Sequence, residues 1–444
     1  MNIANRRLGL EQEFFLVDAH GALSNQADAF LERCRDAAAH TRPSECFATE
    51  FVKSIVEINT LPVHDIAELT EDYLDILQLA LKVARELDLR LYPLSTYPLH
   101  FTPVVRHKQN ALLQVRTVGA KRFQNAAKCT GTHLHLELAE SVIDRRLGVA
   151  YGSSAEDREE LLSVYNLVTA LDAALIALSR ACPFYDGTEA GMAMRTMHYR
   201  GSKEFGWEGV YTHLQPVGGL MPYAETVEDL VEQQFYRYYT WLQAMDEAGV
   251  ERRLFWDSGG ELLKAGWNPV RLNKLGTVEL RGMDSNYPEV TLALVTLVVE
   301  AANRVRREGI TVRPAPVKTF ELTGKQLKVP EFSYLNGSLL HSAVTEGVKS
   351  AEVKNYIDSI VEFSSAAGNF ECLNQLKSMG EYRTTEAELL DKFASPTGKI
   401  SYEEGLQLVL YCCDRLEKQV ESLVLQSKEK ALSKSIQEVG QPSN

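Results

Sequence analysis

The chain has 444 residues, which is enough for two or three average domains or for one large α/β core with an appendage. Its hydrophobic content of 45% and charged content of 24% are typical of a soluble globular protein that needs no disulfide or metal staple. The net charge of −13 argues against a general nucleic-acid binder, which normally has a basic face, but it allows a local cationic pocket.

The compartment is predicted from three features. The N-terminal sequence lacks the long apolar run of a signal peptide. By inspection no apolar stretch reaches the roughly 18 residues of a membrane span, the longest candidate being Val290–Val299. Seven cysteines are scattered without zinc-type spacing, as in a reducing compartment. We therefore predict a cytoplasmic protein without nucleic-acid or membrane partners.

Residue patterns predict alternating strands and helices in the first 310 residues and a mainly helical remainder. The predicted strands are Arg7–Asp18, Ser54–Thr60, Leu89–Leu94, Thr132–Leu138 and Thr277–Met283. The predicted helices are Ile66–Leu87 with Asp65 as its cap, Asp157–Arg180, Val227–Ala248, Glu289–Arg307, Ala351–Ala366, Glu386–Phe393 and Tyr402–Gln426. The proline-rich segment Arg313–Val317 predicts a linker between residues 1–312, a catalytic core, and residues 313–444, a helical C-terminal region.

The first predicted strand carries Glu11 and Glu13, whose side chains share one face because strand side chains alternate. Two carboxylates so close repel each other unless a cation lies between them or one is protonated. Oxygen ligands of this kind suit Mg²⁺ or Mn²⁺. A solvated strand face with two glutamates remains the alternative for this segment alone.

The second predicted strand places Glu57 within a β-branched, apolar run, with Val56 and Ile58 on the opposite face. Glu50 precedes Glu57 by seven residues and has the opposite parity. Both can therefore face one site only if a turn or bulge intervenes.

The third segment alternates strictly, so that His133, His135 and Glu137 share a face and leucines pack behind them. Two histidines at this spacing can share a metal, or one can bind a metal while its neighbour contacts a phosphate or substrate. Hydrogen-bonded histidines on a polar strand face are the alternative.

On the last strand, Glu279 and Arg281 again share a face. They could form a simple ion pair. In a phosphoryl-transfer site, Glu279 would instead hold a metal while Arg281 neutralises the transferred phosphate. The sequence has no Walker-type or GxGxxG motif, so phosphate handling would depend on metals and arginines.

As an ordered set, these segments resemble the carboxylate–amine ligase family that includes the type 2 glutamate–cysteine ligases. That family has G-[VI]-E-x-E, an acidic residue seven positions before a strand glutamate, G-x-H-x-H and G-T-[VI]-E-[VIL]-R-x-x-D, matched by residues 9–13, 50–57, 131–135 and 276–284. A further L-S-x-x-S-P-[FY]-x-x-G-T-like segment matches residues 178–188 and precedes Arg195. The chain departs from these patterns at Cys182, where serine is usual, and at Glu137 and Gly282.

The resemblance covers about residues 7–310 and implies an α+β, glutamine-synthetase-like fold, in which helices back a curved, mainly antiparallel sheet that forms a funnel. It implies an ATP-dependent ligase that activates a carboxylate as an acyl phosphate and joins it to an amine, with a place in glutathione biosynthesis. ATP and Mg²⁺, or Mn²⁺, are the implied cofactors. The implied metal ligands are Glu11, Glu13, Glu50, Glu57, His133 and Glu279. Catalysis would involve Arg281 and Glu279, and substrate or phosphate would contact His135, Arg195, Arg271 and Arg281.

The implied substrates are L-glutamate, or another carboxylate, and cysteine or another amine. A homo-oligomer is compatible with the sequence. Three other functions stay open: a guanidino kinase-type phosphotransferase, a metal-dependent hydrolase or oxygenase that uses both histidines without ATP, and a non-catalytic nucleotide-binding protein. The excess of carboxylates over imidazoles favours Mg²⁺ over the second of these.

Overall fold

The computed structural model describes residues 6–365, 376–378 and 381–439, with side chains as far as residue 429. Its strands are β1 Leu8–Asp18, β2 Phe47–Thr49, β3 Ile55–Asn59, β4 Leu89–Tyr92, β5 Gly131–Glu137, β6 Phe184–Tyr185, β7 Thr188–Glu189, β8 Val270–Asn273, β9 Thr277–Asp284, β10 Thr311–Ala315, β11 Glu321–Thr323, β12 Gln326–Pro330, β13 Lys377–Ser378 and β14 Glu381–Tyr382.

The helices are α1 Ala27–Ala38, α2 Ile66–Glu86, α3 Gln109–Val118, α4 Ala120–Ala126, α5 Ala155–Ser179, α6 Gln215–Gly218, α7 Val227–Glu247, α8 Arg252–Asp257, α9 Pro288–Glu308, α10 Phe332–Tyr334, α11 Leu340–Thr345, α12 Ala351–Ser365, α13 Thr385–Phe393 and α14 Tyr402–Val439. Short 3₁₀ turns span Ser44–Cys46, Glu140–Val142, Leu262–Lys264 and Gly347–Lys349. Two π-helical turns span Thr196–Arg200 and Leu335–Leu339.

A seven-stranded antiparallel sheet organises the fold, in the order β2-β3-β1-β5-β9-β8, with β4 paired to the end of β1. One face carries apolar side chains such as Leu10, Leu134 and Leu280, which pack in the same core as residues of α5 and α9. Because side chains alternate along each strand, the intervening acidic and basic residues occupy the other face. This arrangement confirms the predicted α+β class with a mainly antiparallel sheet backed by helices.

Helix α5 corrects one prediction. Its 25 residues are long and apolar enough to cross a membrane, whereas the sequence pattern pointed to a shorter stretch near Val290–Val299 as the longest candidate. Every residue of its most apolar 18-residue window is buried inside the protein. A helix that is apolar on all sides and fully buried is typical of a protein core.

The region predicted to be a linker also differs. Thr311–Ala315 forms β10, which pairs in parallel with β12. Val312, Tyr356 and Leu416 belong to the same core as the central sheet. The division of the chain at residue 312 therefore remains a prediction. Helix α14 also continues past the predicted end at Gln426 to Val439, whereas Ala366 and Cys372 lie outside the described residues.

Candidate functional site

The polar face of the sheet brings four distant segments together through strand register. On β1, Glu11 lies opposite His133 of β5, and Glu13 lies opposite Glu57 of β3. The next strand continues the pattern, because His135 lies opposite Glu279 of β9. Residue partners on neighbouring strands have Cβ atoms about 5 Å apart, so their side chains interact directly.

Glu50 reaches the same face through a turn. Strand β2 ends at Thr49, and the chain reverses before β3, so that Ala48 lies opposite Glu57. This turn allows the side chains of Glu50 and Glu57 to face the same site although their positions have opposite parity, as the sequence pattern predicted. The structure also has a register shift between Thr132 and Leu134, next to His133. Bulges of this kind re-aim side chains beside functional sites.

Seven side chains on this face form three overlapping groups, in each of which the potential ligand atoms lie within 4.8 Å of one another. The groups are Glu11–Glu57–His133, Glu11–His135–Glu279 and Glu13–Glu50–Glu57. They contain all six residues for which metal ligation was implied, and they add His135. Groups of two carboxylates and one imidazole, or of three carboxylates, suit hard divalent cations such as Mg²⁺ and Mn²⁺.

The ionised form is unfavourable for three of these carboxylates. Burial, followed by nearby carboxylates, raises the pKa of Glu50 to about 7 and that of Glu57 to about 8. Burial also raises the pKa of Glu13 to about 7, although Arg195 opposes this effect. Few hydrogen bonds compensate: Glu13 accepts one from the Gly131 N–H at 2.6 Å, and Glu57 accepts one from Asn59 at 3.0 Å. A cation among them would remove this penalty.

Glu11 has the opposite behaviour. Burial acts to raise its pKa, but contacts with His133 and His135 outweigh burial and hold the pKa below its usual range. Its two oxygens lie 3.1 Å from His133 Nδ1 and 3.1 Å from His135 Nε2. Burial and the positive charge of Arg281 lower the pKa of His133 to about 4, which keeps its imidazole neutral near pH 7. A neutral imidazole is the form that binds metals.

Glu279 is held by two guanidinium groups. Arg271 donates to both of its oxygens, at 2.8 and 3.2 Å, and Arg281 Nη1 donates to Oε1. Despite full burial, these arginines keep the pKa of Glu279 well below its ordinary value. Arg281 Nε is buried without a hydrogen-bond partner among the described residues. That donor is available for a ligand, whereas the guanidinium of Arg271 is committed to Glu279 and the Gly266 carbonyl.

A cavity of about 250 Å³, which we call the central cavity, opens beside the acidic groups. Its lining includes Glu13, Glu50, Glu57, His133, Arg195 and Arg281, together with Gln114, Cys129, Tyr199 and Trp267. Arg195 forms no ion pair with a carboxylate in the described part of the chain, and it lies over the Tyr199 ring at 5.6 Å. A buried, uncommitted guanidinium in a polar cavity is suited to a carboxylate ligand.

A second cavity of about 310 Å³, the rim cavity, lies at the opposite end of the acidic groups, where β1 begins. Glu11 and His135 line it, along with Leu8, Leu10, Pro62 and Leu275. Its walls are more apolar than those of the central cavity, so the two openings differ in chemistry on either side of the same carboxylates.

Several residues of the site were not predicted. Asn59 and Asn273 donate to Glu57 and Glu279, the latter at 2.5 Å. Asn59 lies on β3 with Glu57, and Asn273 lies on β8, next to the strand that carries Glu279. Tyr199 follows Arg195 by four residues in a helical segment, a spacing that could have indicated it. Nothing in the local sequence around Gln114 indicates that it lines the site.

Positions where the chain departs from the expected motifs have structural explanations. Glu137 forms an ion pair with Arg7 at 2.5 Å and lines the rim cavity without belonging to the three acidic groups. The Cys182 Sγ lies 2.5 Å from Thr96 Oγ1 in the core, and its burial raises the thiol pKa. At Gly282, an added Cβ would lie 2.8 Å from the Asp172 carboxylate, so the position has little room for a side chain.

Comparisons with known proteins agree with this geometry. A curated protein named "Putative glutamate–cysteine ligase 2", from Gloeobacter violaceus, is 26% identical over 217 residues, which are 46% of this chain and 51% of that protein. The chain thus matches about half the length of that relative. By structure, a bifunctional glutathione synthetase from Pasteurella multocida aligns with a TM-score of 0.55 at 16% identity over 94% of this chain and 53% of that one.

A glutamate–cysteine ligase from Francisella tularensis, solved in complex with AMP, aligns with a TM-score of 0.54 at 11% identity, covering 99% of this chain and 96% of that one. At these identities the alignments establish the fold, which is the glutamine-synthetase-like architecture that the sequence predicted. The family model "Glutamate-cysteine ligase family 2" matches residues 7–383. The chain belongs to glutamate–cysteine ligase family 2.

Proposed function

We propose that the protein is an ATP- and Mg²⁺-dependent ligase, which phosphorylates a carboxylate and transfers the acyl group to an amine. The observation that carries the proposal is the convergence of seven acidic and imidazole side chains with Arg281 between two cavities. Family membership favours L-glutamate as the carboxylate and cysteine as the amine, with a role in glutathione biosynthesis. The scattered, free and buried cysteines among the described residues support a cytoplasmic location.

The residues present fit divalent cations. The raised pKa values of Glu13, Glu50 and Glu57 express a repulsion that a cation would relieve. Cations held by the three groups would screen the negative charge that otherwise keeps a triphosphate and a carboxylate apart.

The two cavities support a division between nucleotide and acceptor. The rim cavity is the more apolar of the two and has Pro62 and Leu275 in its lining, which suits a flat nucleobase. The central cavity contains Arg195 for a carboxylate group and Arg281 for the transferring phosphoryl group. The γ-phosphate would then lie over the acidic groups, between the two openings.

The chemistry follows from this placement. A substrate carboxylate held by Arg195 attacks the γ-phosphorus, the bond to the β-phosphate oxygen breaks, and ADP leaves. Arg281 Nε, which has no partner among the described residues, can donate to the transferred group as charge builds on it. The resulting acyl phosphate has a good leaving group, and the amine displaces phosphate to form the amide. Bound substrates that fill the central cavity would exclude the water that hydrolyses this intermediate.

The rival functions predict different products. A guanidino kinase would yield a phosphorylated guanidinium and no amide, while a metal-dependent hydrolase would ignore ATP. Five carboxylates beside two imidazoles favour Mg²⁺ chemistry over a histidine-based hydrolase.

The test is phosphate release from Mg-ATP with glutamate and a panel of amines, with mass analysis of the products. Hydroxylamine belongs in the panel, because this small nucleophile traps an acyl phosphate as a hydroxamate. Glu13→Gln and Glu279→Gln should abolish turnover while the protein remains folded by circular dichroism. If no pair of carboxylate and amine raises ATP turnover above background, the proposal is wrong.

A further inference from the structure

Residues 193–207 carry two side chains of the central cavity, those of Arg195 and Tyr199. Arg195 immediately precedes the π-helical turn Thr196–Arg200, and Tyr199 lies within it. Such turns are rare and frequently occur at functional sites. The position of this turn sets the position of the guanidinium that we assign to the carboxylate substrate.

Arg200, at the end of this turn, makes buried polar contacts and does not line the central cavity. Its Nη1 donates to Asp172 Oδ2 at 2.6 Å, and its Nη2 donates to Asn336 Oδ1 at 3.0 Å. Arg200 and Asp172 are only 5% and 3% exposed. Both terminal nitrogens of Arg200 therefore have partners, and neither is available to a substrate.

Asp172 is a charged residue within the fully buried, mainly apolar part of helix α5. Asp172 and Arg200 depend on each other, because either alone would be a buried, uncompensated charge. Strand β9 passes close to the pair, since a Cβ atom at Gly282, the residue after Arg281, would lie 2.8 Å from Asp172 Oδ1. The pair thus connects helix α5 and the turn that follows Arg195, beside the strand that carries Arg281.

Asn336 brings the predicted C-terminal region into this contact. It is half-buried and lies on the second π-helical turn, Leu335–Leu339. The same region supports the start of the segment, because the Ala193 N–H donates to the Val344 carbonyl at 2.9 Å. A separate apolar cluster also joins the two parts, formed by Ile176, Ala193, Trp207, Leu340 and Val344. The C-terminal region therefore holds this segment on both sides of Arg195.

Arg195 itself forms no ion pair with a carboxylate among the described residues, and its guanidinium lies over the ring of Tyr199 on the adjoining turn. Its placement therefore depends on the turn rather than on a fixed anionic partner. Resting on the proposed function, we propose that Asn336 and Arg200 are positioning residues, which fix this turn so that Arg195 faces the carboxylate substrate. The C-terminal region thereby sets the affinity for that substrate, and neither positioning residue takes part in a step of the reaction.

Asn336 is the position at which this role can be separated from folding. Replacing Arg200 or Asp172 would leave a buried charge unpaired, which is strongly destabilising. Asn336→Ala and the bulkier Asn336→Leu both remove only the acceptor of one hydrogen bond, so either variant that folds by circular dichroism serves. Asn336→Asp keeps an acceptor in the same place. Ser338→Ala, at an exposed position in the same π-helical turn, is the matched control.

The experiment measures hydroxamate formation from hydroxylamine with Mg-ATP and glutamate, so that binding of a larger acceptor amine does not enter the result. We expect Asn336→Ala to raise KM for glutamate about five-fold, within the range by which residues outside a site modulate binding. KM for Mg-ATP should stay within about two-fold of the wild-type value, because the acidic groups lie outside this segment. Asn336→Asp and Ser338→Ala should leave both constants near their wild-type values.

Two further measurements distinguish positioning from a general loss of structure. If Asn336 acts through Arg195, adding Asn336→Ala to Arg195→Gln should change KM for glutamate by less than about two-fold. Calorimetric titration of glutamate with Mg²⁺ and a non-hydrolysable ATP analogue needs no turnover. It should show an affinity about five-fold weaker for Asn336→Ala than for the wild type.

Failure of this inference differs from failure of the proposed function. Absence of hydroxamate from the wild-type protein with every carboxylate overturns the proposed function and, with it, this inference. With an active wild type, three results overturn this inference alone. They are an unchanged KM for glutamate in the folded Asn336→Ala or Asn336→Leu protein, an Asn336→Asp protein with the same defect, and effects of Asn336→Ala and Arg195→Gln that multiply.

Discussion

Glu13 and Glu57 lie directly opposite each other on antiparallel strands β1 and β3, and their carboxylates belong to one group with that of Glu50. Like charges at directly opposed positions destabilise a sheet. The protein therefore maintains an arrangement that is unfavourable in the absence of cations. Arrangements of this kind are typical of functional sites, where stability is sacrificed for activity.

Replacing one of these carboxylates should separate stability from function. Above its raised pKa of about 8, Glu57 carries a repelling charge that Glu57→Gln removes while keeping the hydrogen-bonding shape, so at that pH we expect the metal-free protein to gain roughly 0.5–2 kcal/mol of unfolding free energy. Turnover of ATP should disappear. Urea denaturation without Mg²⁺ measures the first effect, and Glu321→Gln on β11, where the glutamate is exposed, is the matched control. A destabilised, active Glu57→Gln protein would contradict the explanation.

The stability of the metal-free protein should fall as pH rises. The pKa values of Glu13 and Glu50 are raised to about 7, and that of Glu57 to about 8, so the folded protein keeps protons that the unfolded chain releases near pH 4.5. Folding is therefore disfavoured progressively from pH 4.5 to about 8. Glu11 has a lowered pKa, so its ionised form stabilises the folded protein, and this contribution to stability is lost only at more acidic pH.

Mg²⁺ should reverse this trend, because binding requires deprotonated ligands and its stabilisation grows with pH. Thermal unfolding at about pH 5.5 and pH 8, each with and without Mg²⁺, measures both effects. We expect the increase in Tm on adding Mg²⁺ to be larger at the higher pH. An equal increase at both pH values would show that these carboxylates do not release protons on binding.

Replacing Arg271 should affect the Mg²⁺ requirement, whereas replacing Arg195 should affect binding of the carboxylate substrate. Arg271 is committed to Glu279, so Arg271→Gln should raise the Mg²⁺ concentration needed for half-maximal activity by about ten-fold or more, as expected when a group that orients a ligand is lost. Arg195 lines the central cavity and forms no ion pair with a carboxylate among the described residues, so Arg195→Gln should mainly raise KM for the carboxylate substrate. Titrations of Mg²⁺ and of glutamate on both variants test this division. Identical responses of the two variants would refute it.

Gly131 has a positional role that can be tested directly. A Cβ atom at this position would lie 2.3 Å from Arg195 Nη2, so any side chain displaces the guanidinium. Gly131→Ala should therefore increase KM for the carboxylate, as Arg195→Gln does, and combining the two changes should add little. Gly152→Ala, where nothing lies within 4 Å of the added atom, is the control. Additive effects of the two changes would mean that Gly131 acts through another residue.

Local patterns predicted which residues share a face, but not which strands are neighbours. Alternation placed Glu11 with Glu13, and Glu279 with Arg281, as the structure has them. The pairing of Glu11 with His133 joins residues that are far apart in sequence, and it depends on the register of the whole sheet. Family resemblance, rather than periodicity, supplied the expectation that these strands converge.

The missed elements are short or contradict local preference. Strand β8 has four residues and follows Pro269, so its pattern is too brief to recognise. Thr311–Ala315 contains Pro314, which indicates a linker, yet this segment pairs with β12 at the edge of a small sheet, where proline is tolerated. Arg271 was expected to contact substrate or phosphate, a role that stays a prediction. Its pairing with Glu279 could be seen only once β8 was placed beside β9.

The most direct measurement is anomalous scattering from a crystal grown with Mn²⁺ and a non-hydrolysable ATP analogue. We predict Mn²⁺ peaks within the groups formed by Glu11, Glu13, Glu50, Glu57, His133, His135 and Glu279, with the triphosphate beside them and Arg281 within hydrogen-bonding distance of the terminal phosphate. Nucleotide bound elsewhere, with no Mn²⁺ among these side chains, would contradict the account.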